Sequence, residues 1–239
     1  TQTDPEFAPA KRVKTMDRRE VNIPNSIVTI KIVDFDGDGD NDILWGSEAG
    51  CIGFVENIAG PDRMPILRDT VFLQQIRPIL DAGAINIPEI VDWDNDGDKD
   101  IISGASNAIV YFENQGNDKL PVFKWGDDMT AGGFPIRLAA GDNGSIQGIE
   151  ELGWQYNNPE VADWDGDGLK DLIISGIRGE HHFFKNIGRE GSPRLAKGQL
   201  IEVQWNGEPL APEWVPFKPQ GDELITVWRT RPEAIDWNE

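Results

Sequence analysis

One spacing of aspartates constrains this chain more than any other feature. Asp34–Asp42 reads DFDGDGDND, Asp92–Asp100 reads DWDNDGDKD and Asp163–Asp171 reads DWDGDGLKD. Carboxylates stand at positions 1, 3, 5 and 9 of each nine-residue loop, and position 6 is Gly39, Gly97 or Gly168. A fourth copy starts at Asp236-Trp237-Asn238-Glu239. Crowding so many like charges into one turn is costly without a cation. Hard divalent ions prefer oxygen donors, and Ca2+ gathers about six to eight of them. The pattern therefore assigns Asp34, Asp36, Asp38 and Asp42 to one ion. Asp92, Asp94, Asp96 and Asp100 serve a second, and Asp163, Asp165, Asp167 and Asp171 a third. Position 7 offers its backbone carbonyl, so Asp40, Asp98 and Leu169 can share that slot. The turn at position 6 calls for a residue tolerant of positive φ.

Half of this pattern also fits an EF-hand, but an EF-hand needs a bidentate Glu at position 12. That slot holds Trp45, Ser103 and Ile174. The loops run into Ile43-Leu44-Trp45, Ile101-Ile102 and Leu172-Ile173-Ile174, short apolar runs that read as buried strands rather than amphipathic helices. An entering strand precedes each loop, at 27–33, 87–91 and 158–162, and Pro88-Glu89, Pro159-Glu160 and Pro232-Glu233 recur just ahead of the loops. A return strand follows at 52–56, 109–113 and 182–185, ending in Asn57, Asn114 and Asn186. A strand near Pro65, Pro121 and Pro193 completes four antiparallel strands per unit.

Asp-x-Asp-x-Asp-Gly-x-x-Asp followed by an apolar strand resembles the FG-GAP and VCBS-type repeats of calcium-binding β-propellers, from about Ile27 onward. The resemblance implies an all-β fold of propeller blades and about three structural Ca2+ ions. Blades are expected around 27–65, 85–125 and 157–200, with the next starting at 225–239; residues 1–20, with basic Lys11, Arg12, Lys14, Arg18 and Arg19, form a leader or an outer strand. Three to four blades make an incomplete propeller, so the sequence is expected to belong to a longer chain whose remaining blades are partners. The loop starts lie 58, 71 and 73 residues apart, against roughly 40–50 for a blade. The surplus falls in long loops at about 66–86, 125–156 and 200–230, where binding and chemistry concentrate.

The net charge of −20 argues against nucleic acid and anionic membrane surfaces, whose recognition needs clustered Lys and Arg. No apolar stretch is long enough for membrane insertion. A single cysteine, Cys51, allows no internal disulfide, and no signal peptide stands in this sequence. Loops of this kind usually work where calcium is near millimolar, which places the protein outside the cell or in the periplasm.

Three functions follow as expectations. The first is a secreted propeller whose interblade loops bind a glycan or an extracellular protein. Trp154 and Tyr156 either stack on sugar rings or pack between blades, and Trp205, Trp214 and Trp228 present the same choice. The second is a polysaccharide lyase acting by β-elimination on a uronate. There Arg137, Arg229 or Arg231 neutralises the carboxylate and Tyr156 or His182 abstracts the proton. His181 and His182 are the only histidines, and strand alternation turns one inward and one outward. The third is an integrin-like adhesion module.

Overall fold

Each aspartate loop joins two strands, and the same arrangement follows three times. The computed structural model describes residues 9, 12–24, 27–73, 79–106, 108–140, 156–204, 219, 221–227 and 230–235. Trp154, Trp205, Trp214, Trp228, Arg229 and the loop copy at 236–239 lie outside the described residues. Among the described residues all regular structure is β.

The first sheet is β1 (Val28–Val33), β2 (Asp42–Ser47), β3 (Ile52–Val55) and β4 (Val71–Phe72). The second is β5 (Ile87–Val91), β6 (Asp100–Gly104), β7 (Ile109–Phe112) and β8 (Asp127–Asp128). A small hairpin, β9 (Thr130–Ala131) with β10 (Phe134–Pro135), leads on. The third sheet is β11 (Asn158–Ala162), β12 (Asp171–Ser175), β13 (His181–Phe184) and β14 (Gln199–Leu200). All are antiparallel meanders in chain order. Registers repeat: Lys31 faces Leu44, Glu89 faces Ile102 and Glu160 faces Ile173.

The second strand of the middle sheet is buried on both faces, which is why it reads as an unbroken apolar run. Ile101 joins a core with Phe35, Leu44, Ile52 and Phe112, between the first and second sheets. Its neighbour Ile102 joins Trp93, Ile109, Leu172 and Ile174, between the second and third. Successive side chains on a strand point to opposite faces, so β6 is shared by two layers of core. The first strand of the middle sheet, β5, adjoins both β1 and β11. Close approach between units is set by glycine: a Cβ at Gly104 would stand 1.7 Å from the carbonyl oxygen of Asn157, at the entry to β11.

The fourth strands are not where the prolines suggested. They begin at Val71, Asp127 and Gln199, six residues beyond Pro65, Pro121 and Pro193. Proline has no N–H to give a ladder. Two residues after each proline, Leu67, Phe123 and Leu195 make single bridges to Asn57, Asn114 and Asn186 instead. Near the N-terminus, Lys14 bridges Glu20 and Thr15 bridges Leu67, so this segment lies along the first sheet.

Candidate metal centres

The loops have one backbone geometry. Gly39, Gly97 and Gly168 have φ of 95°, 100° and 87°, the left-handed turn expected at position 6. Position 4 is left-handed too, at Gly37, Asn95 and Gly166, with φ of 73°, 62° and 73°. These turns point carboxylates inward. Asp34, Asp36 and Asp42 bring oxygens within 4.8 Å of one another, as do Asp92, Asp94 and Asp96, and Asp163, Asp165 and Asp171. Two unit charges at 4.8 Å repel by about 3 kcal/mol at the effective dielectric of a protein surface.

The aspartate at position 9 anchors the loop to its sheet. Asp42, Asp100 and Asp171 are 0 % exposed. Each accepts a backbone N–H from position 2 of its own loop (Phe35, Trp93, Trp164) at 2.9–3.1 Å. Each also accepts the N–H of the asparagine ending the return strand (Asn57, Asn114, Asn186) at 2.7–2.8 Å. That asparagine's amide donates to the carbonyl of position 8, at Asn41, Lys99 and Lys170. The three asparagines were visible in sequence at equal places, but their pairing with position 9 is a long-range contact. Asp100 gains a third donor, the Tyr111 hydroxyl at 2.9 Å, where the other units carry Phe54 and Phe183.

The electrostatics ask for a cation. Burial pushes Asp42 and Asp100 up to about 6 despite their hydrogen bonds. Asp98 is also pushed up to about 6, by burial and then by Asp96 and Asp100. Burial, then neighbouring carboxylates, raise Asp36 and Asp94 as well. Buried Oδ1 atoms of Asp40, Asp94 and Asp98 have no hydrogen-bond partner. An orphaned buried polar atom costs roughly 1–3 kcal/mol, more when charged. A divalent ion answers both demands, and the donor set is wholly hard oxygen, which suits calcium-type chemistry. Asp40 contributes beyond its expected backbone carbonyl: it is 5 % exposed, and its Oδ2 accepts the Gly60 N–H at 2.6 Å.

The third loop differs. Lys185 places its ammonium on Asp165 and on Asp167, the latter at 2.8 Å. That contact lowers Asp167 below the ordinary carboxylate range and raises Lys185. Lysines at position 8 link the loops in series: Lys99 donates to the carbonyl of Asp34, and Lys170 to that of Asp92.

Tyr156 is 8 % exposed and packs with Ile85, Ala140 and Ile177. Arg137 pairs with Asp128 at 2.5 Å. Arg137 and His182 line one cleft of about 460 Å³, with Phe134 and Lys197. Burial, with His181 beside it, takes His182 down to about 4, a neutral imidazole at pH 7. His181 is buried, held by Ser175 at 2.7 Å and Thr226 at 2.9 Å. Arg231 lies elsewhere, donating to the carbonyls of Ile30 and Pro88 and to Glu89.

Protein-family models give no match to this chain, and neither do the curated proteins.

Proposed function

We propose that the chain forms blades of a secreted, calcium-stabilised β-propeller of the FG-GAP/VCBS kind, which presents its long interblade loops to a glycan or an extracellular protein. The observation that carries this reading is the orphaned carboxylate oxygens buried in loops that join the first two strands of successive four-stranded sheets. Sheets stacked face to face with adjoining first strands are what a propeller requires. The ions are structural: each fixes a loop and, through position 9 and its asparagine, the return strand of the same sheet. Ion-binding free energy then becomes folding free energy. Remaining blades of a longer parent chain complete the ring in this reading. A crystal grown in millimolar calcium tests it. Density about 2.3–2.6 Å from carboxylates at positions 1, 3 and 5 supports the reading; water alone in all three loops contradicts it.

The lyase reading keeps one observation, the shared cleft of Arg137 and His182. With His182 down at about 4 and Arg137 tied to Asp128, these residues suit binding an acidic sugar better than abstracting its proton. Uronate polysaccharides incubated with the protein give retention without unsaturated products if the loops only bind. Growth of product absorbance that disappears in His182→Ala makes the protein a lyase.

A further inference from the structure

The three loops are built alike, but the third brings its own cation. The residue just before the asparagine of the return strand is Glu56 in the first unit, Glu113 in the second and Lys185 in the third. These places are equivalent in the structure, not merely in their order along the chain. The carbonyls of Glu56, Glu113 and Lys185 each accept a backbone N–H at 2.8 Å, from Arg68, Lys124 and Ala196.

The charges at these places are rearranged in the third unit. In the first two, the acid pairs with the base across from it, Glu56 with Arg68 at 3.1 Å and Glu113 with Lys124 at 2.5 Å. In the third, the base across is replaced by neutral Ala196, and Lys185 turns its ammonium into the loop. The consequence is visible in the carboxylates. Buried oxygens lacking a partner occur in the first loop (Asp40) and the second (Asp94, Asp98). Among the described residues the third loop has none. It also has one carboxylate fewer, with Leu169 at position 7, and its Asp163 and Asp165 are exposed where Asp34, Asp36, Asp92 and Asp94 are half-buried.

We infer that Lys185 is a tethered competitor for the ion of the third loop, holding Asp165 and Asp167 together at low calcium and making this site the last to fill and the first to empty. This rests on the reading of the loops as calcium sites. A divalent ion bridging positions 3 and 5 must displace the ammonium and break two partly exposed ion pairs, each of modest worth. The third site is therefore weaker than the other two by about tenfold. The device lets two ions hold the first two sheets permanently while the third responds to calcium over the range where its loop exchanges lysine for metal.

Calorimetric titration of the chelator-stripped full chain with calcium chloride tests this, in the parent, in Lys185→Met and in Lys185→Gln. The parent is expected to show two tight sites and a third weaker by about tenfold. Both substitutions should tighten the weak site by about tenfold and leave the tight pair unmoved. Asp163→Asn should abolish the weak site alone, which assigns it to the third loop. Three equal sites in the parent, or a weak site unchanged in both lysine variants that still melt cooperatively, overturns the role of Lys185. Binding at no loop in any variant is a different failure, and overturns the calcium reading itself.

Discussion

Among the described residues, fully buried carboxylates stand where the first strands meet and in the aspartate loops, and the two regions differ in the cations around them. Where the first strands meet, Glu89 and Glu160 are 4 % and 5 % exposed. Cations from elsewhere in the chain surround them: Lys31 stands 3.1 Å from Glu89 and 3.8 Å from Glu160, and Arg231 stands 3.1 Å from Glu89. The N–H of Ala234 reaches Glu160 at 3.2 Å. Among the described residues no ion pair reaches a carboxylate of the first two aspartate loops, and buried oxygens of Asp40, Asp94 and Asp98 go without a partner. The first region sets two cations from within the sequence against its two carboxylates, although one Glu160 oxygen, 3.8 Å from Lys31, has no hydrogen-bond partner. The second could hold a metal ion, and in the proposed reading a cation from the medium fills its deficit and sets its stability.

The sharpest way to break this comparison is to disable a loop at its anchor. Asp100→Asn puts an amide where Trp93 N–H, Asn114 N–H and the Tyr111 hydroxyl all donate. It should cost about 3 to 4 kcal/mol in denaturant unfolding measured in calcium, as expected when buried donors lose a charged acceptor and meet an amide N–H instead. If the loss is the same with a chelator present, the residue is only a staple and the contrast with the junction falls.

Arg231→Met probes the other region. It removes one of the two cations on Glu89 and two donors to backbone carbonyls, and should cost about 2 kcal/mol. The cost should be equal with and without calcium. A calcium-dependent cost would show that the two regions are coupled.

The smallest effect is the most specific. Burial, then the charge of Glu89, raises Glu160 above its ordinary 4.5, so the fold favours its neutral form. Stability from this group is full below 4.5 and is lost as pH rises through the folded value. Glu160→Gln removes that dependence. Its melting temperature relative to the parent should therefore climb as pH rises above 4.5. A flat difference across pH would mean that Lys31 and Ala234 already offset the charge.

Much of the architecture was readable because it is local. A spacing of two along the aspartates and an apolar run behind them dictate turn and strand within a dozen residues, and β5, β6, β11 and β12 fall where those signals put them. What escaped is what the chain brings together across distance. The asparagine anchors join residues about 15 positions apart. Arg231 meets Ile30 across 201 positions. Lys185 looks in sequence like an ordinary surface lysine at the end of a strand, and only its place opposite Asp165 and Asp167 gives it meaning. The fourth strands were misplaced because proline marks where a ladder is interrupted, not where the next one starts. For Tyr156 the sequence left a sugar platform and packing between blades equally open, and its burial against Ile85 and Ile177 depends on packing that composition does not encode.

In the proposed reading, the aspartate loops bind a cation drawn from the medium. Thermal unfolding of the full chain in millimolar calcium against excess chelator reads it directly. With ions saturating, each site adds about 2.7 kcal/mol at a hundredfold excess over its dissociation constant. The midpoint should accordingly fall by about 10 °C or more on chelation and return when calcium is restored. A midpoint that stays in place through chelation and calcium return would contradict the account.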